Sequence, residues 1–264
     1  MKRTVFLWIL AFVITIASAV YQRITGPTYP MKVKAELDGK QLSFSLDRTH
    51  GGEGNHVVSI LTNDEAIKGT VEWKRLGTND PFTVVPMMYA DGKLSAELPH
   101  QPPAGKLEYR VILTDGKATS TNGTVIRFKG DVPAPVLIVH VFCMFVGMLF
   151  STRAGLEVFN PERKFKRLTD VAFGLLAFGG MILGPAVLWY AFGDLWTGFP
   201  IGNDITDNKT LIAFVVWLAA AIAVRKSKNP VRWIVAASII TFFVFLIPHS
   251  LWGTQLDYST MQRQ

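Results

Sequence analysis

The sequence predicts a mixed architecture, an all-β sandwich followed by an α-helical transmembrane bundle. Three observations predict it. Long apolar runs lie at the N-terminus and in the second half of the chain. Between them lie short segments of alternating character, separated by turn signals. Basic residues collect on one side of the apolar runs. Composition agrees: 49% of the 264 residues are hydrophobic, 18% are charged, and the mean hydropathy is +0.27. Soluble domains carry roughly 25% charged residues, so an ordinary cytosolic enzyme is excluded, and so is a disordered chain. One cysteine, Cys143, excludes a disulfide framework, a cysteine-based zinc site and a CxxC redox pair.

Residues 1–20 read as a signal anchor or signal peptide. Lys2 and Arg3 form a basic start, and Thr4 to Val20 is apolar. Ala17-Ser18-Ala19 matches the small-residue pattern of a cleavage site. The run is also long enough for an uncleaved anchor, which is the expectation taken forward.

Four further runs fall in residues 131–250: Pro135 to Phe150, Val171 to Phe192, Leu211 to Val224 and Val231 to Pro248. Apart from Arg232 at the start of the last, none carries an ionised residue, which suits lipid, where charge is costly. The third of these is short and extends back towards Asn208. Charge then sets orientation. Lys2 and Arg3, then Arg153, Arg163, Lys164, Lys166 and Arg167, then Arg225, Lys226, Lys228 and Arg232 all fall on one side. Only Glu157, Glu162 and Asp170 oppose them there. The loop from Gly193 to Lys209 holds Asp194, Asp204 and Asp207 against one lysine. This is the positive-inside pattern. It predicts a bacterial inner-membrane protein with residues 21–130 and the tail 251–264 on the periplasmic side. The net charge of +7 therefore reports topology, and nucleic-acid binding is not expected.

Residues 21–130 alternate with period two. Strands are expected at Met31 to Leu37, Lys40 to Leu46, Asn55 to Leu61, Thr70 to Leu76, Phe82 to Met87, Lys93 to Leu98, Lys106 to Leu113 and Thr124 to Phe128. Asp38-Gly39, Asp91-Gly92 and Asp115-Gly116 mark hairpins, because a type I′ turn needs positive φ. Tyr109, in a strand entered from the Pro103 turn, stands where a tyrosine corner would. In architecture the segment resembles sandwiches of the immunoglobulin or fibronectin kind. That resemblance implies a partner-binding module, although fold alone assigns no function.

Three groups of residues offer chemistry. The glycine-rich loop holds His50, Glu53 and His56, a candidate metal set; a solvated inter-strand loop explains the same residues. His140 lies about six residues into its helix, roughly 9 Å below the outer boundary. His249 ends the last helix on the same side. Two imidazoles on facing helices are candidate axial ligands for one b-type haem, though they differ in height. The alternative reading is a hydrogen-bonded His140 and a wetted His249. His140, Cys143 and Met144 also share one helix face, as copper ligands would, and equally as packing residues would.

The loop from Gly193 to Thr210 is too rich in glycine and aromatic residues for a tether. It is read as a structured or re-entrant loop. Asp204, Asp207 and Asn208 there suit a hard cation; capping of the next helix by Thr206 or Asp207 accounts for them as well. Trp252 and Tyr258 in the tail suit an interfacial belt.

No G-x-S-x-G, Walker loop, HExxH or dinucleotide fingerprint is present. The expected function is a non-catalytic accessory or assembly subunit of a membrane complex, contacting lipid and a partner membrane or periplasmic protein. The alternatives are a haem-bearing redox subunit and a periplasmic-face copper- or cation-binding protein.

Overall fold

A computed structural model describes residues 2–251 and 253–263. Trp252, expected in the interfacial belt, lies outside the described residues. The chain forms two compact units. One comprises Met1–Pro27 with Val132–Gly253, the other Thr28–Asp131 with Thr254–Gln264.

In the second unit, alternation builds strands. They are β1 (Met31–Leu37), β2 (Lys40–Leu46), β3 (Thr49–Gly51), β4 (His56–Leu61), β5 (Lys68–Arg75), β6 (Thr83–Pro86), β7 (Met88–Ala90), β8 (Lys93–Leu98), β9 (Lys106–Thr114) and β10 (Thr119–Lys129). A five-stranded sheet runs β3-β10-β9-β5-β6, a three-stranded sheet β4-β8-β7, and β1 pairs with β2. Along β9, Leu107, Tyr109, Val111 and Leu113 are buried while the residues between them are half-exposed. Side chains from all three sheets, among them Leu37, Ile60, Leu94, Val71, Val111 and Phe128, fill one apolar core.

Two Asp-Gly turns behave as expected. Asp38 and Gly39 have φ of 38° and 79°, and Asp91 and Gly92 have 50° and 76°. The third differs. Asp115 keeps a negative φ because its Oδ1 accepts the N–H groups of Lys117 (2.9 Å) and Ala118 (2.8 Å), an Asx turn. Tyr109 is buried, and its hydroxyl donates to Asp47 O at 2.9 Å. That partner lies between β2 and β3, so the bond is not the local one a tyrosine corner makes. The tail adds β11 (Leu256–Asp257) and β12 (Gln262–Arg263). It docks through Leu256 N–H to Ala104 O (3.1 Å) and through Tyr258 Oη, which accepts Lys106 N–H and donates to Lys106 O.

The first unit is helical: α1 (Lys2–Thr25), α2 (Ala134–Leu156), α3 (Phe165–Leu176), α4 (Gly184–Phe192), α5 (Ile205–Lys226) and α6 (Pro230–Leu246). A π-helical stretch, Ala177–Leu183, joins α3 to α4 as one rod. Four helices are long and apolar enough to cross a membrane; α6 is apolar and has 17 residues, the lower end of the spanning range. This is a multi-pass membrane protein in contact with the bilayer. Phe142, Ile138, Ile182, Phe243 and Trp233 are exposed on its surface, where lipid covers them.

Its interior mixes small and polar residues with a few large apolar ones. Ala154, Ala172, Ala213, Ala220 and Ala237 are buried around Trp217, whose Nε1–H donates to Thr241 Oγ1 at 2.9 Å. A β-carbon at Gly155 would overlap the Ser238 hydroxyl. Helix α1 belongs to this packing: Gln22 Nε2 donates to Phe245 O at 2.6 Å. At the end of α2, Arg153 and Glu157 are both buried and form an ion pair at 2.6 Å. Glu157 Oε1 also accepts Asn160 Nδ2 (3.0 Å) and Lys164 N–H (2.8 Å), and the Arg153 guanidinium lies 5.5 Å from the Trp8 ring. Arg153 is thus an internal tie and not one of the surface charges that set orientation.

Candidate functional site

Polar residues of the helical unit converge where α2, the π-helical stretch, the start of α5 and the turn after α6 meet. The π-helical bond is Gly184 N–H to Gly179 O, five residues apart. Wide turns of this kind recur at functional sites. Two glycines permit this one. A β-carbon at Gly179 would lie 2.7 Å from Cys143 Cβ, and one at Gly180 would lie 2.5 Å from Thr210 Cγ2. Gly179 O also accepts from His140 Nδ1 at 2.9 Å. A carbonyl can only accept, so Nδ1 carries the proton and Nε2 keeps its lone pair.

Lys209, in the second turn of α5, is 1% exposed. Its ammonium donates to Ile247 O at 2.7 Å and lies 3.4 Å from His249 Nδ1. Ser250 N–H donates to Thr206 Oγ1 at 3.2 Å. Together these bonds hold the turn after α6 against α5. His249 itself follows the helix, which ends at Leu246. The structure thus brings His249 beside Lys209, while His140 is tied to the π-helical stretch and Asp204 caps the helix that carries Lys209.

The oxygens of Asp204, Asp207 and Asn208 that suited a cation are engaged inside the protein. Asp204, and not Thr206 or Asp207, caps α5: its Oδ1 accepts Thr206 N–H at 2.7 Å. Asp207 Oδ2 accepts Thr197 N–H (2.6 Å) and Thr197 Oγ1–H (3.0 Å). Asn208 Oδ1 accepts Phe199 N–H at 2.7 Å. Asp204 N–H returns to Thr197 O at 3.0 Å, and Trp196 Nε1–H donates to Phe199 O at 3.0 Å. The loop is therefore fastened to the first turn of α5. Held this way, Leu195, Phe199 and Ile201 remain 60%, 68% and 76% exposed.

Cys143 and Met144 pack against Gly179. In the β unit, His50 and His56 do come together, with Nδ1 atoms 3.3 Å apart. Glu53 stands exposed in the same loop and makes no hydrogen bond or ion pair among the described residues. Burial holds the His56 imidazole below its usual pKa range. Among the described residues no group of three or more His, Cys, Asp or Glu side chains is placed to hold a metal.

Sequence reasoning missed three participants. Lys209 was read as a lone loop charge, yet a cation near a helix N-terminus opposes the dipole and is itself a signal. The Gly179-Gly180 pair inside an apolar run is another. His100, beside the His50 loop, carried none. Comparison with family models, curated proteins and solved structures finds no match.

Proposed function

We propose that this chain is a bacterial inner-membrane protein acting as a non-catalytic accessory or assembly subunit of a membrane complex. In this reading α1 is a retained anchor, the β unit is an immunoglobulin-like sandwich on the periplasmic side, and basic residues such as Arg163, Lys166 and Lys226 stay cytosolic. The positive-inside rule supports that orientation.

One observation carries the function: the fastened loop that displays Leu195, Phe199 and Ile201. An ordered loop loses little conformational freedom on association. Aromatic and aliphatic anchors at its tip are the residues that dominate interfaces. The polar groups behind them are occupied in holding the loop, which suits a docking element and leaves no free reaction centre there. The occupant of this surface is an apolar face of a partner subunit. In mild detergent the wild-type chain is expected to run as a larger assembly, and F199S together with I201S is expected to release it as a lone chain. A wild type that runs alone, or a double variant that keeps the assembly, would overturn the reading.

A second reading has its own support. His140 has the tautomer of a metal-ligating imidazole, with the other nitrogen tied to a backbone carbonyl. Lys209 beside His249 Nδ1 works against ligation, because an ammonium donating there leaves the proton on Nε2. A detergent sample with a Soret band that shifts on dithionite would favour one b-type haem; a sample without it ends the idea.

A further inference from the structure

The β unit carries a second constellation, independent of the docking reading. His50 lies in β3 and His56 opens β4. The intervening loop turns back on Gly52 and Gly54, with φ of +86° and +94°. This reversal aims Gly54 O at the imidazoles. His50 Nε2 lies 3.2 Å from that oxygen and His100 Nδ1 lies 3.0 Å from it.

The acceptor on His50 fixes its tautomer. Gly54 O can only accept, so His50 Nε2 carries the proton and Nδ1 is a lone pair. His56 Nε2 lies 3.8 Å from Asp47 Oδ2, beyond hydrogen-bond reach. Its Nδ1 faces His50 Nδ1 at 3.3 Å. Either a shared proton or a metal cation between them accounts for that approach. Zinc-type bonds to imidazole are about 2.0–2.1 Å, and two ligands of a tetrahedral ion at that length are about 3.3–3.4 Å apart. The spacing is that of two ligands on one ion.

We propose that His50 Nδ1 and His56 Nδ1 bind one late first-row transition ion. Imidazole donors without a carboxylate select copper, zinc or nickel over magnesium and calcium, and affinity peaks at Cu2+. Asp47 and Gly54 O supply the outer partners that orient such ligands. Phe128 stands edge-on to His50, ring centres 5.3 Å apart, and fixes that ring's plane. Among the described residues no third protein donor converges, so the remaining positions are open to water or an added ligand. His100, turned to Gly54 O by its Nδ1, is outside the ligand pair. Glu53 is not part of it.

The test uses the full chain in detergent, without a polyhistidine tag, and Cu2+ as the probe. Equilibrium dialysis is expected to give one ion per chain, bound more tightly than Zn2+. The electron paramagnetic resonance spectrum is expected to show coupling to two nitrogens. H50Q and H56Q, which keep polarity at these positions, are expected to lose stoichiometric binding, with thermal midpoints reported beside them. D47N is expected to weaken binding about tenfold, while H100A and H140A bind as wild type. Wild type that takes up no ion would mean that the pair shares only a proton, and would overturn the proposal. So would H50Q and H56Q variants that keep the two-nitrogen spectrum.

Discussion

The two units obey one rule in opposite senses. In the β unit the large apolar side chains, Leu37, Ile60, Leu107 and Phe128 among them, are inside. In the helical unit alanines, Thr241, Thr169, Lys209, Arg153 and Glu157 share the inside with Trp217, Leu176, Ile234 and Phe245, while many large apolar side chains, Phe243, Phe142 and Trp233 among them, are outside. Water drives the first arrangement, because burying apolar area is what stabilises it. Lipid cannot drive the second, since its tails are as apolar as leucine. There, close approach of small residues and internal polar bonds hold the helices. Position of the large apolar residues therefore reports the solvent.

Substitutions can break this contrast. The largest effect is expected for R153A. It leaves Glu157 as a buried, unpaired charge, a loss of about 3–5 kcal/mol. A thermal midpoint in detergent near that of wild type would show that the helical interior does not depend on its polar tie. In the β unit, I60A is expected to cost about 2–5 kcal/mol, seen as faster amide exchange in β4 and β8. G155A comes next, at about 1–3 kcal/mol, because its methyl group meets Ser238; pairing it with S238A is expected to restore most of the midpoint. Y109F removes only the bond to Asp47 O and is expected to cost about 1 kcal/mol. The smallest change is F243L on the lipid face, within about 0.5 kcal/mol. Were F243L to rival I60A, the inversion between the units would be wrong.

The same contrast explains what could be read from the sequence. Alternation in water is a period-two signal, so β1, β2 and β8 begin and end where expected. β3 and β7 have three residues each, too few to show a period. Apolar runs located the helices, but such runs are apolar all round and give no inward face. Lys209 and Arg153 were consequently counted as solvated charges. The histidines show the same limit. His50 and His56 are six residues apart and their loop made the pairing legible. The neighbourhood of His140 and His249 required knowing that α2 and the end of α6 approach the same turn.

The π-helical stretch has a consequence for the rod that contains it. A wide turn holds one more residue than an α turn, so everything C-terminal to it is rotated by about 100° relative to an unbroken helix. Removing a single residue between 177 and 183 would let the rod close into ordinary α-helix. Trp189 and Tyr190 would then swing to a new azimuth, and the carbonyl that receives His140 would exchange its bond from Gly184 N–H for one four residues on. One inserted residue thus sets the phase of half a transmembrane segment.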